Sequence, residues 1–198
     1  MWKSMQQYEI LLASKSPRRA ALLKELGIPF RVVETAHQEE SYPRNLNGAG
    51  IARYLAELKS DAWKGSLKEH QVLLTADTVV WHRDRELGKP AGAEEAARMI
   101  GELSGQTHHV YTGVCLRSQR WRSTFTSVTE VTFSRLEAEE IGNYVSRYRP
   151  YDKAGAYGIQ EWIGYIAVEK IVGSYFNVMG LPVQRVYAEL KECIKKCQ

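Results

Sequence analysis

VLLTADTVVW, residues 72–81, is the stretch on which the fold turns. Its nearly continuous apolar run predicts a central strand covered on both faces, since a strand with one wet face would alternate. One acid, Asp77, interrupts it. A carboxylate inside such a strand is costly unless it is paired, hydrogen-bonded or bound to a metal. The same ten residues therefore predict the middle of a sheet and the place to look for chemistry.

Working toward the N-terminus, residues 8–13 (YEILLA) predict a buried strand, and Ser16-Pro17 then supplies an N-cap with proline at the first helical position. A helix follows over 17–26 with Leu22, Leu23 and Leu26 facing the core; Gly27 stops it, and a strand over 30–34 comes next. Residues 35–50 are polar, with Pro43, Asn45, Asn47, Gly48 and Gly50, and read as a loop of functional length. A helix over 51–63 carries Ile51, Tyr54, Leu55, Leu58 and Ala62 on one face. Toward the C-terminus, a turn at 82–85 and a segment at 86–90 precede a helix over 93–103. Strands at 110–117 and 121–133 form a hairpin, and Ser134 with Glu137 has capping-box spacing for a helix through Tyr148, which Pro150 ends. After the glycine-rich 151–160 (YDKAGAYGIQ), a strand is expected over 163–172, turns over 173–182 and an amphipathic helix over 183–196, with Val186, Leu190 and Ile194 inward. The pattern predicts a single α/β domain, residues 1–198, built on a mixed twisted sheet with flanking helices.

The 198 residues are 44% hydrophobic and 25% charged, which suits one globular domain and excludes a disordered or collagen-like chain. At this size a core needs no disulfide staple. Cys115, Cys193 and Cys197 form no even set, so a reduced, cytoplasmic setting is expected, with Cys193 partly buried. No stretch approaches the ~20 apolar residues of a membrane span, and the apolar run around Ile10, Leu11 and Leu12 is too brief for a signal peptide. Lys+Arg 27 against Asp+Glu 23 leaves +4, a weak excess that favours a phosphate-bearing partner.

Where that charge lies says more than its sum. Ser14-Lys15-Ser16-Pro17-Arg18-Arg19 joins a strand end to a helix start, where free N–H groups and the helix dipole favour an anion. Cations in a first turn are disfavoured by about 0.3–1 kcal/mol each, so Arg18 and Arg19 fit best beside a bound anion; a solvated basic helix start is the plain alternative. Glu39 and Glu40 in the polar loop are hard oxygen donors suited, with Asp77, to Mg²⁺ or Mn²⁺. Lys59 lies beside Leu55 and Leu58 and by itself would snorkel to solvent, whereas Lys89, between Gly88 and Pro90, sits on a stiff turn able to aim an ammonium at a phosphate. In residues 152–160, small residues allow close backbone approach, and Asp152, Lys153 and Gln160 add a carboxylate, a cation and an amide. Neither GxxxxGK[ST] nor GxGxxG is present, no GxSxG elbow occurs, and no histidine pair completes a zinc site with Cys193 and Cys197.

Five blocks together resemble the Maf family: Leu12-Ala13-Ser14 with Ser16-Pro17-Arg18-Arg19; Ala76-Asp77-Thr78-Val79-Val80; Gly88-Lys89-Pro90; Leu103-Ser104-Gly105-Gln106-Thr107-His108; and residues 152–160. Gly173-Ser174-Tyr175 through Gly180-Leu181-Pro182 extends the likeness. The resemblance implies a nucleoside triphosphate pyrophosphatase that cleaves between the α- and β-phosphates, and DKAGAYGIQ looks like the dTTP/UTP branch. It implies a divalent metal, a homodimer, a small-molecule nucleotide substrate without stable nucleic-acid binding, and an elongated two-lobed fold akin to inosine triphosphate pyrophosphatases. The implied site residues are Ser14, Arg18, Arg19, Glu39, Lys59, Asp77, Lys89 and Gln160: Asp77 with Glu39 for metal, Asp77, Lys59 and Lys89 for catalysis, and Ser14, Arg18, Arg19 and Gln160 for substrate. Gln38 precedes Glu39 where the family has paired acids, so Glu40 competes for that role. Action on purine triphosphates such as ITP or XTP, and nucleotide-dependent regulation of septum formation, are the alternatives.

Overall fold

The structure is a computed structural model that describes residues 2–34 and 41–197. A short α1 (Trp2–Met5) leads into β1 (Glu9–Leu12), α2 (Pro17–Glu25), β2 (Phe30–Val32), α3 (Gly48–Ala62) and β3 (Gln71–His82). Then come β4 (Arg85–Leu87), α4 (Ala93–Leu103), β5 (Thr107–Arg117), β6 (Arg122–Phe133) and α5 (Ala138–Tyr148). A 3₁₀ turn (Ala154–Ala156), α6 (Trp162–Ala167), β7 (Val168–Val172), α7 (Tyr175–Met179) and α8 (Val183–Cys197) complete the chain. The sheet order is β2-β1-β3-β5-β6-β7, with β4 also on β3; β1 is parallel to β2 and β3, and the remaining pairs are antiparallel.

The 12-residue β3 is the spine expected from its apolar run. Its even-numbered residues face two apolar cores: Val72, Leu74 and Ala76 lie with Leu22, Leu23, Val186 and Leu190, and Val80 lies with Leu87, Ile100, Leu103 and Tyr144. Thr78 falls between those cores. The opposite face is roofed by α3, whose Ile51 and Leu55 meet Val79. That helix lies close because Gly113 is opposite Asp77 on β5, and a Cβ there would come within 2.0 Å of the Ala52 carbonyl oxygen. Thr75, polar within an apolar strand, donates its hydroxyl to the Ala56 carbonyl of the same helix at 2.6 Å.

Several sequence expectations need correction. Residues 163–172 are not one strand: 162–167 form α6, with Ile163 and Ala167 inward one turn apart, and only 168–172 pair with β6. The run of β-branched residues hid a helical spacing. The capping box of α5 is Glu137 with Glu140, while the Ser134 hydroxyl donates instead to the Ile166 and Ala167 carbonyls. Residues 85–87, expected as the end of a turn and the start of an unassigned segment, form β4; α3 begins at Gly48 with Asn47 as its cap, and α7 occupies the expected turns. Tyr54 lies outside the buried face of α3, and Cys193 is fully buried.

Candidate functional site

The site begins as a gap in the sheet. β1 pairs with β3 as far as Leu12 with Leu74, and β4 pairs with the same edge only from Leu87 with Val80. Between them, residues 75–79 are paired on the β5 side alone, leaving about 17 Å of open strand edge at the usual rise per residue. The topology aims chain at this opening from both ends. β1 is parallel to β3, so its carboxyl end delivers Ser14 and the start of α2; β4 is antiparallel, so its carboxyl end delivers Gly88 and Lys89 from the other side. Asp77 is in the middle.

On the α3 face, Asp77 is buried and its Oδ1 accepts a hydrogen bond from Lys59 Nζ. This answers the cost of a carboxylate in an apolar strand: a carboxylate and an ammonium share one desolvated place, and removing either partner would strand the other. Lys59 does not simply snorkel; it reaches inward from the last turn of α3.

On the opposite face the start of α2 meets a polar band. Ser16 caps the helix by accepting from Arg19 N, and Pro17 follows it, as expected. The Ser14 hydroxyl oxygen accepts from Ser16 N at 3.2 Å and from Arg19 Nη1 at 3.3 Å. Arg19 also donates from Nε to the Gly180 carbonyl at 2.8 Å and from Nη2 to Thr78 Oγ1 at 3.1 Å. Thr112 donates to the Asn177 carbonyl at 3.0 Å, so in the 3.0 Å contact between the two threonine hydroxyls Thr78 is the donor. The band thus runs from Arg19 through Thr78 and Thr112 to α7, where buried Asn177 donates to the Val110 carbonyl and Thr129. The cations that are unusual in a helix's first turn are already partly satisfied by protein oxygens.

Arg18 reaches across the opening, its Nη1 donating to Asp152 Oδ2 at 3.2 Å. Asp152 belongs to the segment 152–160, which is seated by Gly155 N donating to the Gly88 carbonyl at 3.1 Å. Gly155 has φ +67, and its missing Cβ leaves room for Val80. Below it, Tyr157 hydrogen-bonds His108 Nε2 at 2.8 Å inside the core. Burial, with the charges of His82 and His109 adding to it, drives the His108 pKa down to about 3, so the imidazole is neutral and structural. Burial alone would raise the Asp152 carboxyl, but Lys153, by hydrogen bond and charge, and then Arg18 hold it below the ordinary carboxylate range.

Lys89 is exposed and makes no side-chain hydrogen bond or ion pair among the described residues, which leaves its ammonium available at the gap. Gln160 ends the seated segment with a buried Oε1 that has no hydrogen-bond partner among the described residues. Glu39 and Glu40 lie outside the described residues. Just beyond them, the Tyr42 hydroxyl donates to Glu86 of β4; that hydrogen bond, then burial and the Glu86 charge, push the phenol up to about 12.

The donor set is compatible with a hard divalent cation. Mg²⁺ is commonly held by one or two carboxylates and completes its shell with water and substrate phosphates. Asp77 keeps Oδ2 free of hydrogen bonds from the described residues, although no three acids, histidines or cysteines converge among them.

A family model described as Maf-like protein matches residues 9–193. This chain belongs to the Maf family. Among curated proteins, one from Porphyromonas gingivalis is 50% identical over 195 residues, covering 97% of this chain and 98% of that protein. One from Bacteroides thetaiotaomicron is 48% identical over 192 residues, covering 97% of this chain and 100% of that protein. A third, from Flavobacterium johnsoniae, is 48% identical over 188 residues, covering 95% and 96%. All three are named dTTP/UTP pyrophosphatase. Among solved structures, a HAM1 protein from Coxiella burnetii gives a TM-score of 0.43 at 16% identity, covering 65% of this chain and 74% of that one.

In this Maf chain, the tertiary structure gathers Ser14, Arg18, Arg19, Lys59 and Asp77 around the gap, with Lys89 delivered to its far end. No described side-chain contact links Gln160 to that group. Sequence reasoning missed Thr78, Thr112 and Asn177 as a connected band, and it missed Glu161 and Tyr144 beneath the seated segment. Thr78 beside Asp77 was a local hint; the other pairings span tens of residues and leave no periodic trace.

Proposed function

We propose that this Maf chain is a nucleoside triphosphate pyrophosphatase acting on dTTP and UTP, releasing the monophosphate and pyrophosphate. The observation that carries this reading is the gap in the sheet. Strand ends from opposite directions bring Arg18, Arg19 and Lys89 to an opening of polyphosphate length, where β3 and α3 supply a buried acid paired with a lysine. The names of the nearly full-length relatives support the pyrimidine substrates and the bond cleaved.

In this mechanism Asp77 takes the proton of the attacking water as it approaches the α-phosphorus in line, and Lys59 fixes the carboxylate's orientation through Oδ1. Arg18, Arg19 and Lys89 neutralise the charge that develops on the departing pyrophosphate, and Arg19 does so with little reorganisation because Gly180 and Thr78 already hold its guanidinium. For a phosphate to take Arg18 it must displace or share Asp152. Ser14 keeps its own hydroxyl proton to donate to a phosphate oxygen, since both its hydrogen bonds are accepted ones. Gln160 offers an amide edge to the pyrimidine. Asp77 with Glu39 or Glu40 would hold Mg²⁺ or Mn²⁺, whose Lewis acidity would polarise phosphate oxygens and lower the pKa of a bound water. The enzyme works as a cytoplasmic homodimer in this reading.

The test is a panel of dTTP, UTP, CTP, dATP, GTP, ITP and XTP with each metal, following monophosphate and pyrophosphate separately. dTTP and UTP should turn over fastest. Orthophosphate with a nucleoside diphosphate would reject the bond assignment, faster ITP or XTP cleavage would reject the pyrimidine assignment, and tight binding without turnover would reject catalysis. Asp77→Asn should lower kcat by about 10²–10⁴-fold, the usual worth of a positioned proton acceptor; near-normal kcat removes Asp77 from the chemistry.

A further inference from the structure

Glu161 begins α6 as its N-cap residue, yet its side chain makes no cap hydrogen bond. An acid at that position ordinarily turns toward the helix's free N–H groups. Here it turns back under the preceding segment. Oε1 forms an ion pair with Lys153 Nζ at 3.1 Å, and Oε2 accepts a hydrogen bond from the Tyr144 hydroxyl of α5. Tyr144 in turn accepts a hydrogen bond from Gly158 N at 3.0 Å. One carboxylate therefore ties down both ends of residues 153–158, the side chain at the start and the backbone at the end.

The surroundings are built for this. A Cβ at Gly158 would come within 2.7 Å of the Glu161 carboxyl carbon, so glycine is what lets the carboxylate lie beneath the segment. Lys153 is only 8% exposed, a buried cation whose other partner is Asp152 Oδ1 at 2.8 Å. Asp152 then holds Arg18 through its second oxygen. The segment itself needs support, because both Gly155 and Ala156 have positive φ, at +67 and +59. Alanine there carries strain that only surrounding contacts can maintain.

We propose that Glu161 is a positioning residue: through Tyr144 and Lys153 it fixes the substrate-side segment that ends in Gln160, and through Lys153 and Asp152 it sets how Arg18 is presented at the gap. This deepens the pyrophosphatase reading and rests on it. Glu161 touches no substrate in this role. Its charge balances Lys153, so that Asp152 remains free to share Arg18 rather than serving as the sole counter-ion of a buried ammonium.

The experiment measures kcat and KM for dTTP and for CTP in the full-length protein, with melting curves, for Glu161→Gln, Lys153→Met and the double variant. Turnover of dTTP or UTP by the unaltered protein is read first; its absence overturns the pyrophosphatase reading and this inference with it. Given turnover, Glu161→Gln should raise KM for dTTP about tenfold, keep kcat within about threefold and narrow the preference for dTTP over CTP. The double variant should be no worse than the poorer single one, because both act through one connection. If Glu161→Gln shows no cooperative melting, Tyr144→Phe, which cuts only the link to Gly158, must show the same rise in KM. KM within twofold of the unaltered protein in every folded variant, or effects that multiply in the double variant, overturns the proposal while leaving the pyrophosphatase reading intact.

Discussion

Two adjacent arginines in one helical turn do different work. Arg19 is a three-way tie among β1, β3 and the end of α7, with acceptors at Ser14, Thr78 and the buried Gly180 carbonyl. A planar guanidinium can meet acceptors in separate directions at once, which an ammonium on a flexible stem cannot. Arg19→Lys should therefore cost about 1–3 kcal/mol, the penalty for leaving a buried acceptor unmatched, read as a lower urea midpoint with unchanged slope. Arg18→Lys should change the unfolding free energy by no more than about 1 kcal/mol, because its partner Asp152 is largely in solvent. It should instead weaken substrate binding, as a rise in KM. Residues 16–19 were legible from sequence as a capped helix start bearing cations. That Arg19 is held by protein oxygens was not, because Gly180 lies far along the chain and offers only a backbone carbonyl.

At the scale of elements, the contact that places Lys59 against Asp77 is the seat of α3 on the sheet. Gly113 makes it possible: opposite Asp77, its bare Cα lets the Ala52 carbonyl approach as no side chain would. Gly113→Ala should lift α3, costing about 1–3 kcal/mol or more as an overpacked contact. It should also lower kcat with dTTP, because Lys59 leaves with the helix. A stability loss with unchanged kcat would show that the lysine's position does not depend on this seat. Helix α3 was readable from its periodicity, and so was β3 from its unbroken apolar run. Strand β4 was not: its three residues pair with β3 through a turn at Arg83 and Asp84, both at positive φ without glycine, so the usual hairpin signal was missing. Helix α6 was hidden by residues that favour strands, and packing of Ile163 and Ala167 overrode that preference.

For the whole molecule, the buried histidine couples folding to pH. His108 titrates near 3 in the fold and near 6.5 when unfolded, so between those values the unfolded chain binds the extra proton. Stability from this group is complete above about pH 6.5 and is lost as pH falls toward 3, by about 1.4 kcal/mol per pH unit. His108→Gln should remove that slope from urea midpoints measured between about pH 6 and 4; an unchanged difference curve would mean that His108 is not neutral in the folded protein. The same global view explains the candidate site. Two apolar cores lie along one face of β3, and the polar band at Thr78, Thr112 and Asn177 runs between them, beside the open edge.

By itself the sequence determined the helices with clear periodicity, the central strand, the acid within it and the phosphate-favouring turn after β1, because each is written in neighbouring residues through spacing, caps and burial preference. It also carried enough ordered blocks to point to the Maf family. Only the tertiary structure decided that β1 and β4 share one edge of β3 and stop short of each other. It alone joined Lys59 to Asp77, Arg18 to Asp152 and Glu161 to Lys153 and Tyr144. The reason is physical: strand register and the seat of a helix depend on contacts summed over the whole sheet, and a charge finds its partner only after those contacts have placed it.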